Sequence, residues 1–360
     1  MYLTMERLSM FIGQTSMNII DVMEKIDKNT SGSLFIEDKY DRLCGCVTDG
    51  DIRRWILKKG NLKASVCEVM NENPKYLFAD ESCRAKIFME QEFIKTLPII
   101  DSNHHIVDIC ILNRNEITKA EEACAEIENV PVVIMAGGKG TRLYPYTKIL
   151  PKPLIPIGDT PIIERIIECF CQYNIMKYYI TVNYKKGMIK SYFSDLNPSY
   201  DIEYVEESKP LGTGGSIKLI KEKFENPIFI TNCDAIILAD YAEIYKYHKS
   251  SGNLITVVSA LKNIIVPYGV INSGKNGQIK SMEEKPRLSY FINTGMYIIN
   301  PEVIELIPKD TMFHMTQLVE KVMDNGGKVG MYPVSEDSFL DMGEFDEMKR
   351  MEEKLNIVSK

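Results

Sequence analysis

Residues 130–142 read Val-Pro-Val-Val-Ile-Met-Ala-Gly-Gly-Lys-Gly-Thr-Arg. The apolar run 130–135 is short and rich in β-branched residues, so it predicts a strand buried on both faces. It ends in Ala136-Gly137-Gly138. A buried strand that runs into glycines brings backbone N–H groups to the carboxyl edge of a sheet, where open α/β sheets bind ligands. Gly137, Gly138 and Gly140 let the backbone come close to a phosphate or a base, and a nest of N–H groups favours anions. Taken alone, such a loop reads first as a tight strand-to-helix turn; its spacing fits neither a Walker A loop nor a dinucleotide fingerprint.

The residues that follow narrow the choice. Prolines 145, 151, 153 and 156 forbid a regular helix, so 144–157 is expected to be a rigid extended loop. It holds Lys152 between two prolines, close after Thr141 and Arg142. Two cations fixed beside an anion-binding loop suit a polyphosphate. Further along, apolar runs at 178–182, 227–231, 254–260 and 295–299 alternate with amphipathic stretches at 162–171, 216–224, 241–249 and 317–324. That alternation predicts an α/β domain over 130–360, with a Rossmann-like, mostly parallel sheet covered on both faces. Glu164 reads as surface and the tyrosines of 178–184 as core.

Toward the N-terminus the texture changes. Apolar runs at 33–36 and 43–47 lead into the turn-like Thr-Asp-Gly-Asp of 48–51 and a helix from 52. Adding 64 to each number finds apolar runs at 98–100 and 106–111 and a turn-like 113–115, so 1–125 reads as two copies of a small α+β unit. The polar stretch 119–129 reads as a helical connector.

The whole chain bounds the possibilities. Its 360 residues, 45% hydrophobic, are enough for two separate cores. A net charge of −7 speaks against nucleic acid as partner. Nine cysteines include no Cys-x-x-Cys pair, and the four histidines join no ligand pattern, which predicts reduced thiols. No apolar run is long enough for a membrane span, and the first residues are not a secretory signal, so a cytoplasmic location is expected.

The stretch 134–163 closely resembles the signature of the sugar-1-phosphate nucleotidylyltransferases, a family that includes thymidylyl-, guanylyl- and uridylyltransferases. Later landmarks follow in the family's order. Residues 211–215 resemble its second Gly-rich loop, and Asn-Cys-Asp234 its Asn-Gly-Asp with Cys233 in place of the usual glycine. Tyr268-Gly269-Val270, Glu283-Glu284-Lys285-Pro286 and Asn293-Thr294-Gly295 resemble sugar-site elements, and Asp341-Met-Gly343 its Asp-Ile-Gly. The resemblance implies transfer of a nucleoside monophosphate from a triphosphate to a sugar 1-phosphate. It implies Arg142, Lys152, Asp234 and Lys285 as catalytic residues. It places the nucleotide at Ala136, Gly137, Gly138, Gly140, Thr141, Gly212 and Thr213. It places the sugar phosphate at Gly269, Glu284, Lys285, Asn293 and Thr294, and Mg2+ at Asp234 and Asp341. Arg142 and Lys152 sit on a loop, so replacing either is expected to leave the fold intact.

In the front part, Gly45-Cys-Val-Thr48-Asp-Gly-Asp51 resembles the ligand junction of the cystathionine-β-synthase (CBS) domain. This implies a CBS pair with a regulatory adenine or guanine nucleotide at Thr48 and Asp51. The second copy departs from the pattern at Leu112 and Asn115, so one site per chain is expected. The layout resembles guanylyltransferases of legionaminic-acid-type pathways, which points to GTP and glucosamine 1-phosphate. Mannose- or heptose-phosphate guanylyltransferases and UTP- or dTTP-using glucose-1-phosphate enzymes are the alternatives. A nucleotide sensor with an inactive transferase domain is a reading of a different class, as is a glycosyltransferase, which would want Asp-x-Asp where this chain has Asn-Cys-Asp. Substrates are thus small molecules, with no nucleic acid or membrane partner, and a homo-oligomer is expected.

Overall fold

The computed structural model describes residues 8–29, 31–92, 94–111, 127–343 and 345–355. The chain divides into two compact units, Met1–Lys119 and Ala120–Lys360.

In the front unit, β1 (Ile12–Gln14), β2 (Ser33–Glu37) and β3 (Leu43–Thr48) form one sheet. A second contains β4 (Leu77–Phe78), β5 (Thr96–Ile100) and β6 (Ile106–Ile111). In both, the first pair is parallel and the second antiparallel. The repeat is one of topology, but its offset is 63 and not the expected 64: Ser33 pairs with Thr48 and Thr96 with Ile111, with the same register shift in both copies, so Ile111 and not Leu112 answers to Thr48. Helices α1 (Ile19–Asn29) and α3 (Ala85–Gln91) occupy equivalent places in the two copies, and α2 (Asp49–Lys59) follows β3. The Ser33 and Thr96 hydroxyls hydrogen-bond to each other and tie the copies together at their second strands. The helix expected from 52 begins three residues earlier, because Thr48 acts as its N-cap and Asp51 closes a capping box. The turn-like 113–115 and most of the connector 119–129 lie outside the described residues.

The second unit opens with β7 (Val132–Met135). The Pro-rich segment after it is not extended as expected. It folds into three short 3-10 turns, Thr141–Leu143, Tyr146–Lys148 and Lys152–Leu154. Each needs only an i→i+3 bond, such as Leu154 N to Pro151 O at 2.9 Å, so a proline that accepts without donating can begin one. A small hairpin, β8 (Pro156–Ile157) and β9 (Thr160–Pro161), leads to α4 (Ile162–Cys171). Then come β10 (Lys177–Val182), α5 (Lys186–Leu196), β11 (Asp201–Glu206), β12 (Ile228–Asn232), β13 (Ala235–Ile237) and α6 (Tyr241–Ser251). The last elements are β14 (Ile255–Ile265), β15 (Val270–Ser273), β16 (Ile279–Glu283), β17 (Arg287–Ile299), α7 (Met315–Asp324), β18 (Val329–Val334), β19 (Phe339–Asp341) and α8 (Phe345–Lys354).

The main sheet has seven strands in the order β11-β10-β7-β12-β17-β14-β18. Only β17 runs against its neighbours. Val132 and Ile134 of β7 enter one apolar core, and Val133 and Met135 the opposite one. Helix α4 packs Ile162, Ile163, Ile166, Ile167 and Phe170 into the first core, and α7 packs Met315, Leu318 and Val322 into the second. Each such side chain contributes roughly 1.5–3 kcal/mol on burial. Tyr178 and Tyr179 are fully buried, one on each face.

The amphipathic stretch 216–224 yields only a 3-10 turn, Ser216–Leu219. Tertiary contacts take the rest: Lys177 and the Tyr179 hydroxyl both donate to Glu222, and Phe224 packs edge-on against the Tyr179 ring. Strand β14 outruns its neighbour. β18 pairs with it only to Ala260, whereas β17 continues to Ile265. Past Leu261 the β14/β17 pair leaves the sheet as a two-stranded ribbon tipped by the β15/β16 hairpin.

Candidate active site

Strand order places a crevice between β7 and β12. The chain leaves β7 toward β10 and β11 on one side and returns to β12 on the other, so connections diverge from the carboxyl ends of β7 and β12. Ala136, Gly137 and Gly138 follow β7, and Cys233 and Asp234 follow β12.

Gly140 has φ +63°, a conformation that favours glycine, and a Cβ there would stand 2.9 Å from the Lys152 Cβ. Thr147 Oγ1 donates to Gly140 O at 2.9 Å and pins the loop over the lysine. Lys152 itself is buried, not a solvated loop cation. Its Nζ donates to Asp234 Oδ2 at 2.5 Å. Asp341 arrives from the far end of the sequence. The β13/β19 ladder sets it opposite Ala235, and Met342 N donates to Asp234 O at 2.8 Å. Burial, and then the charge of Asp234, pushes the Asp341 carboxyl above its usual range, while Lys152 and Arg142 pull it down. Arg142 is exposed on its 3-10 turn, with Nη1 3.6 Å from where a Cβ on Gly343 would sit. The structure thus brings Arg142, Lys152, Asp234 and Asp341 together from four separate segments.

The second Gly-rich loop faces the first through a residue that the sequence reading passed over. Glu207 is buried just past β11. Its Oε2 accepts from Leu211 N at 3.2 Å, and its Oε1 lies 2.7 Å from where a Cβ on Gly137 would be. Burial raises its carboxyl above the ordinary value, opposed by the Leu211 hydrogen bond. The sequence signal was a glutamate at a predicted strand end shortly before Leu-Gly-Thr-Gly-Gly. Gly212 has φ +77°, and Gly214 N and Gly215 N both donate to Phe313 O at 2.9 Å. The Thr213 hydroxyl accepts from Met315 N at 3.1 Å, which anchors the start of α7.

The residues expected at the sugar site lie in two places, Gly269, Glu284 and Lys285 on the ribbon and Asn293 and Thr294 in β17. A Cβ on Gly269 would stand 2.9 Å from Glu284 Oε2, so these two touch on the ribbon. Lys285 takes φ +48°, and its N–H donates to Tyr268 O at 3.3 Å. Among the described residues Lys285 forms no ion pair with Asp234 or Asp341. Asn293 Oδ1 accepts from Gly295 N at 2.9 Å, and its Nδ2 donates to Tyr297 Oη at 2.6 Å. The buried Thr294 hydroxyl donates to Val258 O at 2.8 Å, where the β14/β17 register shifts. Gly295, at φ +83°, leaves room for the Asn232 side chain, which any Cβ would overlap.

The family model described as nucleotidyl transferase matches residues 131–356. This chain belongs to the nucleotidyl transferase family. The chain is 33% identical over 232 residues to a UTP–glucose-1-phosphate uridylyltransferase of Synechocystis, covering 59% of each chain. It is 36% identical over 184 residues to a mannose-1-phosphate guanyltransferase of Debaryomyces hansenii, covering 49% of this chain and 51% of that one. The chain therefore spans only a little over half the length of these curated relatives. The crystal structure of a putative glucose-1-phosphate thymidylyltransferase from Bacillus anthracis matches with TM-score 0.50 at 23% identity. That match covers 64% of this chain and 96% of the other, and it speaks to the fold alone.

A CBS domain model matches residues 14–58 of the chain. There Thr48 and Asp51 hold each other. Thr48 N and Oγ1 donate to Asp51 Oδ2 at 2.9 and 2.6 Å, and Asp51 N donates back to Thr48 Oγ1 at 3.3 Å. Arg54 pairs with the other carboxylate oxygen at 2.5 Å. Leu112 and Asn115 lie outside the described residues. No helix among the described residues is long and apolar enough to cross a membrane. Glu164, expected at the surface, is half-buried and accepts from the Tyr192 hydroxyl.

Proposed function

We propose that the chain transfers a nucleoside monophosphate, from GTP by preference, to a sugar 1-phosphate. The carrying observation is the convergence of Arg142, Lys152, Asp234 and Asp341 at the β7/β12 crevice. A sugar-phosphate oxygen attacks the α-phosphorus in line, the bond to the β-phosphate oxygen breaks, and pyrophosphate leaves. A phosphate monoester is already ionised near neutrality, so no side chain need act as base, and catalysis rests on position and charge. The Arg142 fork suits phosphate oxygens, and the Lys152 ammonium offsets charge from below the first Gly-rich loop. Lys285, from the ribbon, holds the phosphate of the sugar.

Asp234 and Asp341 also fit Mg2+. They set two hard oxygen donors side by side, and the upward push of one carboxyl by the other is a repulsion that a divalent cation relieves. Among the described residues no cluster of three or more metal-ligating side chains occurs, and two carboxylates are what Mg2+ uses when phosphates complete its shell. When bound, the ion supplies charge neutralisation on the phosphates.

Glu207 supports the choice of base. A carboxylate is an acceptor only, and it meets the adjacent N1–H and N2–H donors of guanine. Uracil and thymine flank their single N–H with carbonyls that the carboxylate repels. Glucosamine 1-phosphate is the acceptor proposed from the resemblance of the layout. The CBS match supports one regulatory nucleotide at Thr48 and Asp51, in a pair spanning 1–125.

Pyrophosphate release from GTP, UTP, dTTP and ATP, each crossed with glucosamine, mannose and glucose 1-phosphates, tests this directly. GTP should lead UTP by roughly a hundredfold in kcat/KM, and Glu207→Gln should erase most of that margin. No pyrophosphate from any pair would refute the reaction; a preference for UTP would refute only the base.

A further inference from the structure

We propose that Asn183, Tyr184 and Lys185, the three residues between β10 and α5, are a positioning bracket that holds both sides of the nucleotide site in register; the inference rests on the reaction proposed above. Arg142 and Lys152 ride on short 3-10 turns. Of residues 144–150 only Thr147 is buried, and Tyr144, Tyr146 and Ile149 stand in solvent. Apolar packing therefore does little to hold this stretch. Its turns close on their own neighbours, as Lys148 N does on Pro145 O at 3.0 Å. The bracket adds a hold from a distant segment. The Tyr184 hydroxyl donates to Thr147 O at 3.1 Å, and Lys185 Nζ donates to Lys148 O and Ile149 O at 2.5 and 2.7 Å. Three successive carbonyls at the end of a turn are thus satisfied from one place.

The hold is passed on to the site. Thr147 Oγ1 donates to Gly140 O, and Gly140 closes over Lys152, so a shift at 147 moves the first Gly-rich loop and its lysine together. On the other side, Asn183 Nδ2 donates to Glu207 O at 3.0 Å, and Glu207 N donates to Val182 O at 3.0 Å. The Glu207 backbone is fixed at its N–H and its C=O alike, while its carboxylate faces Gly137. Lys185 takes φ +50° and ψ 35° at the start of α5, a left-handed conformation that glycine adopts at less cost. The backbone alone would favour glycine there, so what lysine adds is its ammonium, which also lies 5.5 Å from the centre of the Tyr184 ring. A loop that grips the triphosphate only when held loses affinity in proportion to the time it is not held.

Steady-state kinetics of the full chain with GTP and with UTP are the test. Lys185→Met and Lys185→Gly should each raise the KM for the triphosphate about tenfold, the scale of one charge-assisted hydrogen bond, with a much smaller effect on kcat and on the KM for the sugar phosphate. Lys185→Arg should keep most of the affinity. Lys185→Gly separates positioning from folding, because it relaxes the left-handed turn: it should melt no earlier than wild type and still lose affinity. Asn183→Ala should instead narrow the ratio of kcat/KM between the two bases by roughly fivefold, the scale of a neutral hydrogen bond. An unchanged triphosphate KM in the Lys185 variants overturns the bracket, and so does a base ratio that Asn183→Ala leaves alone. Should no triphosphate react at all, the reaction is refuted and amide exchange of 141–150 decides the bracket. Lys185→Met should quicken that exchange about tenfold, and equal exchange in wild type and variant sinks the proposal.

Discussion

Asp51 and Asp234 both stand just past the end of a strand, β3 and β12, yet they are held in opposite ways. Asp51 is satisfied by its own helix, through Thr48 and Arg54, each three residues away. Asp234 is satisfied by Lys152, 82 positions earlier, and its backbone carbonyl by Met342. The first is a local solution that a free helix end needs in any protein. The second sets a buried cation and two carboxylates side by side, an arrangement with no value to a helix end and of direct use to a polyphosphate. Buried acids in the two units show the same contrast. In the front unit Glu37 is pushed up to about 7, by burial first and by Asp41 next, with His105 and the Ile106 backbone opposing. In the second unit Asp341 is pushed up against the direct pull of two cations.

The contrast is most exposed to attack at the crevice. Arg142→Ala should cost on the order of 3 kcal/mol of transition-state stabilisation with an unchanged melting temperature, because the side chain is exposed. Lys152→Ala should lose as much turnover and also melt earlier, since it strands Asp234 beside Asp341; excess Mg2+ should restore part of that stability. This departs from the expectation that a loop lysine can be removed without harm to the fold. Near-native turnover in Arg142→Ala, or an undisturbed melting temperature in Lys152→Ala, would erase the difference drawn here.

A smaller effect belongs to Glu37. Its folded value lies above the ordinary 4.5, so the native front unit keeps a proton that the unfolded chain has lost. Stability should therefore fall as pH rises from 4.5 to about 7 and level off above. Glu37→Gln should flatten that profile and stabilise the front unit above neutrality by on the order of 1–2 kcal/mol. Thermal melts on either side of neutrality decide it, and parallel profiles for wild type and variant would remove Glu37 from the account. The smallest effect is at the cap. Thr48→Ala should cost about 1 kcal/mol and weaken AMP or GMP binding in calorimetry of the full chain. Lost stability with unaltered affinity would leave Thr48 and Asp51 as a cap and nothing more.

Much of the architecture was legible without coordinates. The apolar run before the first glycines, the alternation of strands and helices, and the repeat in the front unit, read one residue out of its true offset of 63, are all periodic or local signals. Arg142, Lys152, Asp234 and Asp341 were also named from the sequence, through motif order and not through any distance. Other features were not legible. The stretch 216–224 has helical amphipathicity, but Glu222 and Phe224 answer to Lys177 and Tyr179, which no local window contains. Lys152 read as a loop cation because burial is a property of what folds over a residue. Glu207 went unnoticed because its meaning lies in Gly137, seventy positions away in the chain and in contact in space.

The sequence by itself determined the class of sheet, the existence of two units and the identity of the charged residues, because periodicity, turn chemistry and motif order are written along the chain. Only the tertiary structure decided which charges meet. The β13/β19 register carries Asp341 to Asp234, the glycine at 140 lets the loop close over Lys152, and the early ends of β12 and β18 leave the ribbon uncovered. Charge and burial act through distance, and distance between remote residues is fixed by packing.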